Sequence, residues 1–171
     1  MKPVFMYTTS FLFRLAKTIL ITGIGAYGIL IVMNNVTDYY TNYVFVSHVL
    51  KMDTVFPDSN VHYRSWDHPF LFHAAYMLII LAEFIMAFCC LKGGWQMSKH
   101  IKKDPQNFHA SKSWGIAGII TGILIWFIGF QVIGGEWFMM WQSATWNGLA
   151  ASERVLAVLL FTLLLLHFKD E

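Results

Sequence analysis

The residues with the richest chemistry gather in two stretches. Between about Asn34 and Pro69 stand His48, His62 and His68, with His73 just beyond, and Asp38, Asp53 and Asp67 among them. Glu136 opens the second stretch. His48 and Met52 are four residues apart, as are Glu136 and Met140. Imidazole, thioether and carboxylate together are ligands for copper or zinc, so His48, Met52, His73 and Glu136 are candidate metal ligands. Their spacing is not that of an HExxH or Cys/His motif. A binding chemistry is also open. Trp137, Trp141 and Trp146 lie within ten residues, interleaved with Glu136, Gln142 and Asn147. Polar groups beside large rings are what a ligand pocket is lined with, although Trp at a membrane boundary is also a simple anchor. Glu83 and Arg154 complete the set, each embedded in apolar sequence.

Several chemistries are excluded. Ser143 has no GxSxG setting, and there is no Walker or dinucleotide fingerprint. Gly93-Gly94-Trp95 is not a phosphate cradle. Cys89 and Cys90 are adjacent, with no CxxC, and read as buried apolar filler. The net charge of +2 gives no reason to expect nucleic acid as a partner. No cofactor is indicated by any motif.

The elements that must position these residues are membrane helices. The chain has 171 residues, 57% of them apolar and 13% charged, against about 25% charged in soluble domains. Mean hydropathy is +0.53. One domain of this size with this composition is an all-α membrane protein. A span needs about 20 apolar residues. Four stretches qualify: about Phe11 to Met33, Phe70 to Leu91, Trp114 to Ile133 and Gly148 to Phe168. The first is too long for a signal-peptide core and is read as an uncleaved span. The fourth reaches membrane length only by taking Glu153 and Arg154 into the helix. The sequon Asn35-Val36-Thr37 lies too close to the first span to be read as a glycosylation site.

Lys and Arg set the expected orientation. Nine lie at the N-terminus, between spans two and three, or at the C-terminus, and three (Lys51, Arg64, Arg154) on the other side. The positive-inside rule then puts both termini in the cytoplasm. Arg14 and Lys17 are expected to snorkel, and the loop lysines to face anionic lipid. The small residues Gly23, Gly25, Ala26 and Gly28 in span one, and Gly115, Gly118 and Gly122 in span three, predict tight packing of those two spans or dimerisation.

The outer segments are too aromatic for linkers. Tyr39, Tyr43, Val46 and Leu50 fall on one helical stripe, which predicts a short interfacial helix with that stripe toward lipid or protein. Met52 to Asp58 reads as a turn. Trp137 and Trp141 are expected on one helical face, and Asn147 or Thr145 to cap the fourth helix. Short connections bring the ends of spans two, three and four to one level. His48, Asp53, His73, Glu136, Trp137, Trp141, Trp146 and Asn147 are therefore expected over one bundle mouth. Asp53 or Glu136 would lie within reach of Arg154, His48 or His73. Glu83, about 12 Å from the expected inner end of its span, must be protonated or paired, with Thr22 and Thr121 as candidate partners.

The pieces Asn34-Asn35-x-Thr37-Asp38-Tyr39, His48-Val49-Leu50-x-Met52-Asp53-Thr54-x-Phe56-Pro57, His73-Ala74-Ala75-Tyr76 with Glu83, Gly134-Gly135-Glu136-Trp137-Phe138-x-Met140-Trp141-Gln142-Ser143 and Thr145-Trp146-Asn147-Gly148 carry a resemblance. The chain from Lys17 onward resembles the bacterial predicted small integral membrane protein family of unknown function, number 2165. The resemblance implies four spans and a bacterial inner membrane, and it assigns no residue roles. Two functional readings follow. One is an accessory module whose outer polar-aromatic cap holds a partner protein, a second copy of the chain, or an amphipathic molecule such as a lipid or quinone. The other is a metal-dependent or redox membrane enzyme using the outer His and carboxylate residues.

Overall fold

A computed structural model describes residues 8–170. Lys2, part of the charge count above, lies outside the described residues. In chain order the elements are α1 (Thr9–Thr37), α2 (Tyr39–Lys51), α3 (Pro69–His100), α4 (Pro105–Ala110), α5 (Ser113–Ile123) and α6 (Leu149–His167). A π-helical segment, Leu124–Trp137, continues α5 without a break. Two short 3-10 turns, His62–Arg64 and Met140–Gln142, sit in the loops. Four helical runs are long and apolar enough to cross a membrane: α1, α3, α4 through the π segment, and α6.

Helix starts follow ordinary capping. The Thr8 hydroxyl accepts from the Phe11 N–H at 3.3 Å. The His68 ring accepts from the Phe70 N–H, with Pro69 at the first helical position. Asp104 caps α4, which also begins with proline. The Asn147 side chain accepts from the Leu149 N–H at 3.1 Å at the start of α6.

α3 is the central helix, and the small faces of spans one and three both pack on it. This corrects the expectation that they would pack on each other. A Cβ on Gly28 would meet Met86 and Ala87, one on Gly25 would meet Leu91, and one on Gly118 would meet Cys90 and the Met86 carbonyl. Gly93 and Gly94 supply the slim faces of α3 itself, against Gly115 and Thr22 respectively. A helix flanked on two sides must be narrow on both, and close backbone approach is what holds helices together in lipid. Ile21 still reaches the Gly115 surface, so α1 and α5 meet only where α3 is thinnest. Both cysteines are free and buried in this packing.

α1 and α3 also run further than the hydropathy limits. α1 continues through Asn34 and Asn35. α3 continues past Lys92 to His100, and there the lysine heads find rings of α5 and of α3 itself. Lys92 Nζ lies 3.5 Å from the Trp114 ring centre and Lys99 Nζ 3.5 Å from that of Trp95. α3 therefore has 32 residues and is about 48 Å long, well beyond a hydrocarbon core of about 30 Å.

The basic end of the bundle is held by a buried charge cluster. Arg14 and Lys17 do not snorkel; they are 6% and 1% exposed. Arg14 donates to the Ile101, Lys103 and Asp170 carbonyls. Lys17 donates to the Phe168 carbonyl at 2.8 Å and to Asp170 Oδ1 at 2.6 Å. Lys112 pairs with Asp170 Oδ2 and donates to the Leu166 carbonyl at 2.9 Å. Cations at carbonyls that end a helix are favourably placed in its dipole. Burial alone would push the Asp170 carboxyl up, but its bonds to Lys112 and Lys17 outweigh that and hold it below the usual carboxylate range.

Candidate functional site

The opposite end is covered by α2 and by the two aromatic loops, stitched into one cap. α2 carries Val46 and Leu50 buried against Phe72, Tyr76 and Ile80 of α3. The stripe predicted for this helix thus faces protein. The chain turns at Met52, buried in the left-handed conformation at φ 55°. The Trp66 N–H returns to the Leu50 carbonyl at 2.8 Å. The Thr54 hydroxyl donates to Ser143 Oγ at 2.7 Å, and the Phe56 N–H to Gln142 Oε1 at 3.0 Å. These bonds join the two loops directly.

Within the cap the expected site residues divide into two groups. In the first, the His48 Nδ1–H donates to Asp53 Oδ2 at 2.7 Å, and the His48 ring stacks on Trp146 at 4.4 Å with an interplanar angle of 6°. The carboxylate thereby fixes the ring and turns Nε2 away from itself. In the second group, His73 Nδ1 is 2.8 Å from the Tyr39 hydroxyl, and its ring stacks on Tyr43 at 4.3 Å. Burial, then the neighbouring Tyr43 and Tyr40 phenols, push the Tyr39 hydroxyl above its usual value.

The remaining predicted residues stand apart from both groups. Glu136 is exposed and has no polar partner among the described residues. Arg154 does not reach a carboxylate: its Nε donates to the Ala150 carbonyl of its own helix at 3.2 Å, on the exposed face of α6. Two turns of helix separate it from Asn147, too much to climb once the guanidinium is satisfied locally. Trp137 and Trp141 do not share a helical face, because the π segment ends at Trp137 and Met139 is left-handed at φ 55°. Trp137 instead lies under Arg64, 4.8 Å from its ring, and Trp141 meets Phe56 edge-on at 6.0 Å. Met52, His48, His73 and Glu136 do not converge. Among the described residues no three His, Cys, Asp or Glu side chains gather as a metal-ligand set.

Glu83 has a partner that sequence reasoning missed. Its Oε2 accepts from Asn35 Nδ2 at 2.7 Å, Asn35 Oδ1 accepts from Asn42 Nδ2 at 2.7 Å, and the Tyr76 hydroxyl donates to the Asn35 carbonyl at 3.3 Å. Thr22 and Thr121, the expected partners, bond the Thr18 and Ala117 carbonyls of their own helices instead. A signal was present: Tyr76 and Glu83 are seven residues apart, two turns on one face of α3, and Asn35 and Asn42 are spaced alike across the α1–α2 joint at Asp38. Because α3 runs on to His100, Glu83 lies 17 residues, about 25 Å, from the basic end rather than about 12 Å.

Beneath α2 lies a cavity of about 420 Å³. Phe45, Val46, Val49 and Leu50 of α2 roof it, Ala75, Ile79 and Ala82 of α3 form one wall, and the π segment from Leu124 to Gly134 forms the other. Among the described lining residues Thr121 carries the only hydroxyl, already bonded to the Ala117 carbonyl. α3 packs closely along α5 but diverges from the π segment. Leu78, Leu124 and Ile128 on the two facing edges are exposed, so the cavity is open sideways. Phe45 links it to the first polar group, lying 6.4 Å from Phe130 in the cavity wall and 6.3 Å from Trp146.

A family model for predicted small integral membrane proteins (DUF2165) matches residues 13–169. The chain belongs to this family. The match takes in α1 from Phe13, the other three apolar helical runs, the α2 cap and both aromatic loops. No curated protein and no solved structure matches the chain. Membership of the family agrees with the four-helix membrane fold and assigns no role to Glu83, His48 or the cavity.

Proposed function

We propose that this member of the family is a non-enzymatic module of the bacterial inner membrane that takes an amphipathic, lipid-like molecule into the cavity beneath α2. The observation that carries the reading is a laterally open, apolar chamber roofed by a folded cap. Its volume falls in the range of about 300–1,000 Å³ usual for ligand pockets. At roughly 30 Å³ for each small liquid-packed group, it has room for a chain of on the order of ten methylenes. The lining offers such a chain dispersion contacts and demands no hydrogen bond from it.

The π segment supports the same reading. Helices of this type are rare beyond a single turn and concentrate where function uses them. Here the widened backbone, with Gly129 and Gly134 facing the chamber, keeps α5 from closing on α3. The head of the ligand belongs at the cap, where Phe45 and Trp146 lead to the His48–Asp53 pair. The distribution of Lys and Arg supports cytoplasmic termini, an orientation in which the cap would face outward.

A photoactivatable acyl chain tests this in proteoliposomes. Crosslinks are expected to concentrate in residues 121–134 and 45–50. Ala75→Leu, which fills the chamber from the α3 wall, should remove most of that labelling. Labelling spread evenly over lipid-facing positions such as Phe161, and indifferent to Ala75→Leu, would refute a specific chamber.

A further inference from the structure

The Glu83 network is separate from the cavity and has a property of its own. Glu83 and Asn35 are 4% and 5% exposed, whereas Asn42 is exposed. The two amides form a string with a single sense: Asn42 donates to Asn35, and Asn35 donates to the carboxylate. That sense suits an ionised Glu83, which only accepts. A protonated Glu83 donates instead and needs an acceptor. Turning the Asn35 amide over presents Oδ1 to the acid and Nδ2 to Asn42, and the Asn42 amide must then turn as well to accept. Its freed NH2 faces water, which satisfies it. The same residues can thus satisfy both protonation states, and the difference between them is delivered to an exposed position on α2.

Nothing charged nearby pins one state. On α3 the facing group is Tyr76, held to the Asn35 carbonyl. At the α1–α2 joint stand Asp38, exposed, and Tyr39, held to His73. α5 offers Thr121, bonded to its own helix, and the ionisable residues of α6 near this level, Glu153 and Arg154, are exposed. The described ion pairs do not include Glu83. Lys17, the deepest cation of the basic end, is 18 residues of α1 below Asn35, about 27 Å away. An intramembrane carboxylate kept without a counter-charge marks a functional position by default.

We infer that Glu83 is a reversible proton-binding site that exchanges with the water at the capped end, and that the Asn35–Asn42 string transmits its protonation to α2. Binding is a simple transfer: the carboxylate takes a proton from hydronium, which leaves as water, and the amide string reverses. Release runs backwards. Since α2 also roofs the cavity, the bound proton is placed to alter that roof, but the proton site stands without any ligand there.

Infrared difference spectroscopy of the full chain in liposomes, titrated from about pH 4 to about pH 10, is the test. The expected result is a carboxylic C=O band that appears and disappears reversibly and is missing in Glu83→Gln. A spin label on Thr41→Cys, an exposed α2 position, should change mobility over the same pH interval in the wild-type background. In the Glu83→Gln background it should stay in its low-pH state throughout. Should Glu83→Gln fail to fold, Glu83→Asp must show a titrating band displaced in frequency. A Glu83-dependent band absent at every pH, or present at every pH, overturns the proton site. A label that is pH-indifferent in the wild type, or titrates alike with and without Glu83, overturns its coupling to α2.

Discussion

Asp170→Asn tests the basic end most directly. One carboxylate, 1% exposed at its side chain, faces Lys17 and Lys112, whose side chains are 1% and 0% exposed. Removing one member of a buried pair leaves the other charge uncompensated, at a cost of about 3–5 kcal/mol. Here two ammonium groups lose their counter-ion together. They keep their bonds to the Phe168 and Leu166 carbonyls, so neither ammonium is left without an acceptor and the cost falls at the lower end of that range. The expected net destabilisation is therefore about 3 kcal/mol, near a hundredfold in the folded ratio, against a total of about 5–15 kcal/mol for an ordinary domain. Equilibrium unfolding in mixed micelles, with α6 monitored by limited proteolysis, reads it. The acid response gives a second check. The folded carboxyl sits below its unfolded value, which is about 3.9. Its contribution is then complete above that value and lost as the pH falls through it toward the folded one. The gap between the wild type and Asp170→Asn should begin to narrow below about pH 4 and close as the pH passes the folded value. A variant within about 0.5 kcal/mol of the wild type at neutral pH, or a gap that does not narrow in acid, would refute the account.

The other predictions concern packing, the cavity and orientation. Gly93→Ala places a methyl on the Gly115 backbone and should cost at least about 1–3 kcal/mol, whereas Gly23→Ala meets open space and should gain up to about 1 kcal/mol; melting temperatures of the pair in one detergent decide it. Ala75→Leu should be neutral or stabilising by about 0.5–2 kcal/mol without ligand, as cavity filling usually is, while losing acyl-chain labelling. A reporter fused after the C-terminus should read cytoplasmic and one inserted at Asp58 should read external; a reversed result removes the basis for placing the cap outside.

Composition made the membrane fold readable, because lipid forces long apolar helices and little else hides that signal. The stripe of Tyr39, Tyr43, Val46 and Leu50 was readable as a face that needs a surface, with lipid or protein left open, and α3 supplies that surface; the cavity beneath α2 was not readable. Helix ends were less legible. Hydropathy stops at the first charge, yet Lys92 closes on an adjacent Trp114 ring and α3 continues. That extension lengthens the distance from Glu83 to the basic end, while the separate extension of α1 through Thr37 brings Asn35, otherwise a loop residue, opposite Glu83. The polar site was half legible. His48 and Asp53 are five residues apart across one turn and meet locally. Glu136 and Arg154 depended on two helices of unknown azimuth, and period alone does not fix azimuth. The π segment adds to that, since a wider helix shifts every later side chain around the axis relative to an α-helical count.

The two ends of the bundle divide the work of stability and change between them. At the basic end three cations and one carboxylate are buried, and the cations bond carbonyls at and just beyond the ends of α3 and α6. Such a cluster has essentially one arrangement, since each cation already has its acceptors. At the capped end the same kind of burial surrounds neutral amides, phenols and one carboxylate, groups that donate or accept as their partners require. α1 connects the two, carrying Arg14 and Lys17 at one end and Asn35 at the other. Substitutions at the basic end should therefore show as loss of folded protein, with the response of α2 to pH unchanged in whatever remains folded. Substitutions of Asn35 should do the reverse. Asn35→Leu is the sharper of these, because it removes both amide bonds while filling similar space. It should leave a Glu83 carboxyl band and abolish the pH response of a label at Thr41. If Asn35→Leu instead leaves that response intact, the signal reaches α2 through Tyr76 and Tyr39, and the amide string is only a scaffold.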